Sequence, residues 1–231
     1  MNKEELSYAL IESISQLISD PYSAIYKPKN FLQLDASIST LEYIKKHASN
    51  AILLRDRLEV LSYVSKMLDS DLEQVLEFGV FKGTTINHIA KLLPKKRIYG
   101  FDSFDGLPEQ WNGYIGKQGD FNLEKLPHVE NNVTLIPGWF DESIDAFLSS
   151  NQFNSISLLH IDSDLYSSAK TVLSKLESKI VRGTIIVFDE YFNYPNWKNH
   201  EYKAFQEFIE NSNLSYEYLA IGHHQVAVKI T

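Results

Sequence analysis

Three carboxylates stand directly after two apolar runs in the second half of the chain. Asp162 follows the run Ile156–Ile161, and Asp189 and Glu190 follow the run Thr184–Phe188. If both runs are neighbouring strands of one parallel sheet, their ends meet at the same edge and the carboxylates converge. Carboxylates that close repel one another, and a hard divalent cation such as Mg²⁺ relieves the repulsion through oxygen ligands. The three residues therefore predict a metal site.

An alternative interpretation of these carboxylates needs no metal. One of them could cap the helix that begins near Leu165 while the others face solvent. Asp164 fits that capping position better than Asp162 does. No arginine or lysine adjoins the three carboxylates in the sequence to relieve their repulsion, so we favour the metal site.

A glycine loop and a further acidic residue form a second group of candidate functional residues. The apolar run Val75–Phe78 ends at Gly79, and a helical pattern begins just after Gly83. A second run, Ile98–Phe101, ends in Asp102. A strand, a tight turn, a helix and a second strand that ends in an acid form a nucleoside-binding unit, in which the acid accepts hydrogen bonds from ribose hydroxyls.

The spacing of the glycines limits the class of ligand that this loop can bind. Phe81 stands where a dinucleotide-binding loop has its middle glycine, so the loop suits a nucleoside better than the pyrophosphate of a nicotinamide cofactor. The order Glu77-x-Gly79-x-x-x-Gly83 resembles the first motif of class I S-adenosylmethionine-dependent methyltransferases. The alternative is a glycine turn that serves only strand–helix packing.

The elements that position these groups alternate between strand and helix after Asp71, with a short turn at Gly222 and His223 near the end. A turn that short joins antiparallel strands, because parallel strands need a crossover. We predict an α/β fold of the Rossmann-like class I methyltransferase type: a mostly parallel seven-stranded sheet with a C-terminal antiparallel hairpin. Its strands are expected at 74–78, 97–101, 132–136, 156–161, 184–188, 215–220 and 225–230, and its helices at 85–93, 142–148, 165–176 and 201–209.

The first 70 residues are predicted to form a helical N-terminal extension to the core of residues 71–231, within one methyltransferase domain that spans residues 1–231. Apolar residues at helical spacing predict an amphipathic helix over 4–18. A loop is expected over 22–30, and further helices over 40–47 and 55–68. Packing on the sheet, covering the cofactor and dimerisation are all open as roles for this extension, and packing is favoured.

Composition excludes several classes of function. The 231 residues carry a net charge of −8 and no cluster of lysine and arginine, so binding to nucleic acid is not expected. The absence of cysteine excludes thiolate metal ligands and a cysteine nucleophile. The N-terminus lacks the pattern of a signal peptide and no apolar run is long enough for a membrane span, so a cytoplasmic protein without membrane contact is expected.

Four segments together resemble the macrocin O-methyltransferase family: D-S-F-D-G-L-P, G-W-F-D-E-S, L-H-I-D-S-D-L-Y-S-S and F-D-E-Y. The resemblance extends from about Val75 to Phe208. It implies a class I enzyme that uses S-adenosylmethionine and Mg²⁺ to methylate sugar hydroxyls of natural products. Its implied metal ligands are Asp162, Asp189 and Glu190, the last of which is often aspartate in the family. Its implied cofactor-binding residues are Glu77, Phe78, Gly79, Val80, Phe81, Gly83, Thr84, Asp102, Ser103, Phe104, Gly106 and Ser143.

The implied chemistry needs an activated hydroxyl. A metal held by Asp162 lowers the pKa of the acceptor hydroxyl, and a general base then takes its proton. His160 shares a strand face with Asp162 and is our candidate for this base, although a histidine within a strand is more often structural. His223 and His224 are comparable candidates, and the base could also come from the segment 106–127.

Two aromatic segments are candidates for contact with the acceptor. The segment 106–127 has no clear periodicity and contains aromatic residues among glycines, which favours a lid over an ordinary surface loop. The segment 191–197, Y-F-N-Y-P-N-W, is expected to line the acceptor side, with an aromatic packing patch as the alternative.

These observations predict an O-methyltransferase that acts on a sugar or a glycosylated metabolite. Alternatives are a methyltransferase for a phenolic acceptor, a non-catalytic nucleoside-binding protein and a nicotinamide-dependent dehydrogenase. The amphipathic N-terminal segment and the many aromatic residues favour a homodimer or a higher homo-oligomer.

Overall fold

The computed structural model describes residues 28–112 and 116–231. Within these residues the chain forms eight strands and six α-helices. The strands are β1 (Ile52–Leu53), β2 (Gln74–Phe78), β3 (Ile98–Asp102), β4 (Val133–Pro137), β5 (Ile156–Ile161), β6 (Ile185–Phe188), β7 (Tyr216–Ile221) and β8 (Val226–Ile230). The helices are α1 (Pro28–His47), α2 (Arg57–Ser65), α3 (Thr84–Leu92), α4 (Phe140–Ser150), α5 (Tyr166–Leu176) and α6 (Glu201–Asn211).

All eight strands form one sheet in the order β1-β7-β8-β6-β5-β2-β3-β4. Only β8 runs antiparallel to its neighbours, β6 and β7, so the predicted mostly parallel sheet and its C-terminal hairpin are confirmed. The predicted number of seven strands is wrong, because β1 adds an eighth beside β7. A strand of two residues is too short to show an alternating pattern, and sequence reasoning therefore misses it.

Helices cover both faces of the sheet, which is why its central strands are mostly apolar and almost entirely buried. All six residues of β5 are buried. Along β2, Leu76 and Phe78 belong to the core under α4, α5 and α6, and Val75 belongs to the core under α2 and α3. This alternation places Glu77, between Leu76 and Phe78, on the α2 and α3 side of the sheet.

The helical extension differs from the prediction at its boundaries. α1 begins at Pro28, so the predicted loop over 22–30 is wrong for its last three residues. Proline is tolerated in the first turn of a helix, where its missing N–H group has no partner to lose. The predicted helix over 4–18 lies outside the described residues. The division into an extension and a core within one domain stays a prediction.

α1 is fastened to the loop that follows β6. Asn193 in that loop donates its backbone N–H to Thr40 Oγ1 and accepts hydrogen bonds from Gln33 Nε2 and Ser37 Oγ. α1 thereby stabilises the segment next to the predicted metal ligands. Among the described helices, none combines the length and the apolar character that a bilayer crossing requires.

Candidate functional site

A cavity of about 610 Å³ opens at the carboxyl ends of the parallel strands. This is where open α/β sheets bind their ligands, and the volume suits a small molecule. Acidic residues from the ends of β3, β5 and β6 line it, namely Asp102, Asp162, Asp164 and Glu190. Other lining residues used below are Arg57, Gly79, Phe81, Ser103, Gly106, Leu107, Trp111, Phe121, Trp139, Phe140, Asp141, Ser163, Ser167, Ser168 and Thr171.

Gly79 brings the glycine loop against the end of β5. Its φ is +93°, and a Cβ atom at this position would lie 1.7 Å from the backbone oxygen of Asp162. Gly79 also donates its N–H to the backbone oxygen of Phe101, and Asp162 donates its N–H to that of Phe78. Only glycine allows this close approach, so the loop that is predicted to bind the cofactor and the first predicted metal ligand are in direct contact.

Asp102 organises the turns on both sides of it. Its Oδ2 accepts hydrogen bonds from the backbone N–H groups of Val80 at 2.9 Å and Phe81 at 2.7 Å, and its Oδ1 accepts one from Phe104 at 2.7 Å. Phe81 and Phe104 adopt left-handed φ angles of +44° and +58°, which these bonds hold in place. A carboxylate offers about four acceptor positions, so one remains for a ligand of the cavity that Asp102 lines.

Glu77 does not reach the cavity, contrary to its expected role in cofactor binding. It is fully buried, where it accepts hydrogen bonds from Thr85 Oγ1 at 2.9 Å and from His160 Nδ1 at 2.8 Å. Glu77 and His160 are paired residues of the adjacent strands β2 and β5. Glu77 therefore contacts the neighbouring strand β5 within the sheet and not the cavity.

His160 is also absent from the cavity wall, which argues against the base role expected for it. Burial disfavours its charged form, but the nearby carboxylates of Asp189 and Glu77 outweigh burial and raise the pKa of His160 to about 10. Its Nε2 lies 3.8 Å from Asp189 Oδ1, so His160 stands between Glu77 and Asp189 and not at the surface of the cavity.

The predicted metal ligands fall into two overlapping groups of potential ligand atoms. One contains His160, Asp162 and Asp189, and the other contains Asp162, Asp164 and Glu190; within each group the atoms lie within 4.8 Å of one another. Asp162 belongs to both groups, Asp189 only to the first and Glu190 only to the second. The capping role considered for Asp164 is wrong, because α5 has no side-chain cap and Asp164 joins the cluster instead.

The four carboxyl groups of the cluster differ in the direction in which their surroundings shift their pKa. Burial raises the pKa of Asp162 and Glu190 well above the ordinary range and that of Asp164 to about 7, and the charge of Asp189 raises each further. Burial acts in the same direction on Asp189, but His160 and Arg57 outweigh it and lower the pKa of Asp189. Glu190 Oε2 is buried without a hydrogen-bond partner. Carboxyl groups whose charged forms repel one another, one of them with an unpartnered oxygen, are groups that a divalent cation would stabilise in the charged form.

Two functional residues escaped the sequence analysis because they are remote from the acidic cluster along the chain. Arg57, at the start of α2, lies 3.2 Å from Asp189 Oδ2 and 3.6 Å from Asp162 Oδ2 through its Nη1. Glu201, at the start of α6, accepts hydrogen bonds from the backbone N–H groups of Ser163 and Glu190, both at 3.1 Å. Glu201 thereby joins the loops after β5 and β6, which carry all four acidic residues of the cluster.

We expect Glu201→Gln to weaken the cluster. Glutamine keeps one acceptor but turns an NH₂ group toward the second backbone N–H, so a buried donor loses its partner. The free energy of unfolding should fall by about 1–3 kcal/mol. Urea unfolding measures this change, and Glu210→Gln, an exposed substitution on the same helix, is the control that should change little. A variant Glu201→Gln as stable as wild type would contradict this joining role.

The other residues expected to bind the cofactor divide by position. Gly79, Phe81, Asp102, Ser103 and Gly106 line the cavity. Phe78, Val80, Gly83, Thr84, Phe104 and Ser143 are not part of its wall; Gly83 is the N-cap of α3, with a φ of +80°. Ser143 is buried in the first turn of α4, next to the lining residues Phe140 and Asp141, and its Oγ has no hydrogen-bond partner.

The two aromatic segments lie in different surroundings, and only the first, 106–127, lines the cavity. Leu107, Trp111 and Phe121 line the cavity, and the Phe121 ring meets that of Phe81 at 5.4 Å between centroids. The loop is held by paired backbone hydrogen bonds between Leu107 and residues 119 and 120, and Tyr114 lies outside the described residues. The lid role stays a prediction.

The segment 191–197 instead contributes to the core. Tyr191, Tyr194 and Trp197 are buried and do not line the cavity, which favours the packing patch over an acceptor-binding surface. His223 and His224 do not line it either. Burial and the charge of His223 lower the pKa of His224 to about 4.

The sheet order, the glycine loop and Asp102 at the end of β3 define a class I methyltransferase fold. The sequence model of the family described as "Methyltransferase domain" matches residues 76–191, which is half of the chain. The chain belongs to this family. The predicted fold and enzyme class, an S-adenosylmethionine-dependent methyltransferase, are thereby confirmed, and a dehydrogenase is excluded.

Two curated relatives come from Streptomyces species. The 8-demethyl-8-(2,3-dimethoxy-alpha-L-rhamnosyl)-tetracenomycin-C 4'-O-methyltransferase of Streptomyces olivaceus is 24% identical over 200 aligned residues, and the match covers 70% of this chain and 75% of the relative. The demethyldecarbamoylnovobiocin O-methyltransferase of Streptomyces niveus is 25% identical over 155 aligned residues, and the match covers 56% of this chain and 58% of the relative. These relatives confirm the resemblance to the macrocin O-methyltransferase family.

Solved structures agree on the fold. A calicheamicin methyltransferase matches with a TM-score of 0.61 and 21% identity, over 99% of this chain and 93% of that one. The O-methyltransferase NovP matches with a TM-score of 0.56 and 20% identity, over 75% of this chain and 78% of that one.

Proposed function

We propose that the protein transfers a methyl group from S-adenosylmethionine to a hydroxyl of a sugar or a glycosylated metabolite, with the help of a divalent cation such as Mg²⁺. The observation that carries the proposal is one cavity lined both by Asp102 beside the glycine loop and by the acidic cluster of Asp162, Asp164 and Glu190. The first group suits a nucleoside and the second suits a cation and the hydroxyl that it activates.

The cofactor side offers both polar and flat contacts. Asp102 keeps one acceptor position toward the cavity for a ribose hydroxyl, and Gly79 lets the cofactor approach the backbone. Trp139 and Phe140 line the wall at the start of α4 and suit the face of an adenine ring. Nearby, the unpartnered Ser143 Oγ supports its expected role as a cofactor contact. When bound, S-adenosylmethionine supplies the electrophilic methyl group.

The acidic cluster fits a cation by its donor set. Carboxylate oxygens are the ligands that Mg²⁺ prefers, and Asp162, in both groups, is the central one. We propose Asp162, Asp189 and Glu190 as ligands, with Asp164 as a fourth oxygen donor of the same cluster. When bound, such a cation supplies Lewis-acid polarisation of an acceptor hydroxyl. Asp162 and Asp164 line the cavity and His160 does not, so one of these two carboxylates would accept the hydroxyl proton.

The acceptor side is rich in hydroxyl groups. Ser163, Ser167, Ser168 and Thr171 line the cavity along the start of α5. Hydroxyls donate and accept hydrogen bonds, so such a wall complements the hydroxyls of a sugar. The relatives named for a rhamnosyl group and for a novobiocin derivative support a glycosylated acceptor. A phenolic acceptor is the second candidate, favoured by the aromatic rings of Trp111 and Phe121 in the same cavity.

Methyl transfer from S-adenosylmethionine with a radiolabelled methyl group tests the proposal. Nucleotide-linked deoxysugars, glycosides and simple phenols serve as acceptors, each with Mg²⁺ and with EDTA. We expect label in a sugar or glycoside, with loss of transfer in EDTA that added Mg²⁺ restores. Transfer to phenols alone would favour the second candidate, and transfer unaffected by EDTA would contradict the metal site. The homo-oligomer and the cytoplasmic location stay predictions.

A further inference from the structure

Arg57 is the only lysine or arginine among the described residues that line the cavity. Its guanidinium bridges the acidic cluster, with Nη1 3.2 Å from Asp189 Oδ2 and 3.6 Å from Asp162 Oδ2. Both oxygens belong to residues of the proposed metal site. A positive charge from the helical extension therefore lies at the oxygens that a cation would need.

The backbone that carries Arg57 is fixed independently of the cluster. Asp56 caps α2 by accepting a hydrogen bond from the backbone N–H of Glu59 at 3.0 Å. The Arg57 side chain is 43% exposed, so its end has room to leave the cluster while α2 keeps its position. Asp189, in contrast, is almost fully buried and cannot turn to solvent.

A guanidinium and a metal ion cannot use the same carboxylate lone pairs. The guanidinium has five N–H donors and no acceptor, so it cannot become a ligand itself, and its charge repels an incoming cation. We infer that Arg57 is an internal competitor of the divalent cation: it neutralises Asp189 and Asp162 in the metal-free protein, and metal binding displaces it. This inference rests on the metal site of the proposed function.

The competition sets metal affinity. Displacing Arg57 breaks two ion pairs before the metal gains its ligands, so wild type should bind metal more weakly than a variant without this charge. Arg57→Met keeps most of the aliphatic stem and removes the guanidinium. We expect it to bind Mg²⁺ about ten-fold more tightly, which corresponds to about 1.4 kcal/mol.

Calorimetric titration of MgCl₂ into the full chain tests the inference in wild type, Arg57→Met and Arg55→Met. Arg55 is the matched control, since it carries the same charge two residues earlier but pairs with Asp56, outside the acidic cluster. Tighter binding in Arg57→Met, with Arg55→Met like wild type, supports the competition. Equal or weaker binding in Arg57→Met overturns it while the metal site stands. Binding in neither wild type nor Arg57→Met overturns both.

A measurement on wild type covers the case in which Arg57→Met fails to fold. Phenylglyoxal modifies accessible arginines, and mass spectrometry locates the modified residue. Displacement predicts that Mg²⁺ speeds the modification of Arg57 severalfold and leaves that of Arg55 unchanged. A rate at Arg57 that is unchanged or slower with Mg²⁺ overturns the inference.

Discussion

Asp162→Asn is expected to lower the rate of methyl transfer by about 10³-fold, the equivalent of about 4 kcal/mol in transition-state stabilisation. Asp162 is the residue shared by both groups of potential ligands, and it lines the cavity. Asparagine preserves the shape and the backbone contact with Gly79 but removes the charge that would hold a cation beside the acceptor. Steady-state rates of methyl transfer measure the loss, and a Mg²⁺ titration of the same variant should show much weaker binding.

The control for Asp162→Asn is Asp105→Asn. Asp105 is exposed and lies outside the cavity wall, so the substitution makes the same change of charge without touching the cluster. Its activity should stay near that of wild type. An Asp162→Asn variant with wild-type rates and wild-type metal affinity would remove Asp162 from the proposed mechanism.

Asp102→Ala is expected to weaken binding of S-adenosylhomocysteine, the product of the cofactor, by at least about 100-fold. The substitution leaves the N–H groups of Val80, Phe81 and Phe104 without their acceptor and also removes the proposed ribose contact. Hydrogen bonds to a charged group are worth about 1.5–3 kcal/mol each. The free energy lost with the three bonds in the turns and the ribose contact therefore exceeds the roughly 2.7 kcal/mol that corresponds to a 100-fold effect. Calorimetric titration with S-adenosylhomocysteine measures it.

The same variant provides its own control. Asp102 is not one of the residues in the two potential ligand groups, so Mg²⁺ affinity should stay within about two-fold of wild type if the fold is intact. Asp102→Asn keeps one acceptor oxygen and should lie between Asp102→Ala and wild type. Undiminished nucleoside binding by Asp102→Ala would show that the glycine loop does not depend on this carboxylate.

Sequence reasoning found what depends on local pattern and on the edge of a parallel sheet. Asp102, Asp162 and Glu190 follow apolar runs, and strand ends in such a sheet gather at one place, so their shared cavity was predictable. Arg57 and Glu201 were not predictable in this way, because they reach the site from helices whose placement no local pattern encodes. Each meets the cluster only through the tertiary fold.

Glu77 and His160 are an intermediate case, because their positions in the sequence did contain a signal that they pair. Each stands one residue before the last apolar position of its run, Glu77 before Phe78 and His160 before Ile161. Since β2 and β5 are adjacent and in parallel register, complementary polar residues at equivalent positions meet side by side. The buried pair of Glu77 and His160 escaped the sequence analysis because the glycine motif led us to assign Glu77 to the cofactor.

The most direct test of the account is a calorimetric titration of S-adenosylhomocysteine into the wild-type chain, once with Mg²⁺ and once with EDTA, followed by Mg²⁺ into the chain alone. The account predicts saturable binding of one nucleoside per chain and a separate saturable site for the metal. A wild-type chain that binds neither the nucleoside nor the metal would contradict it.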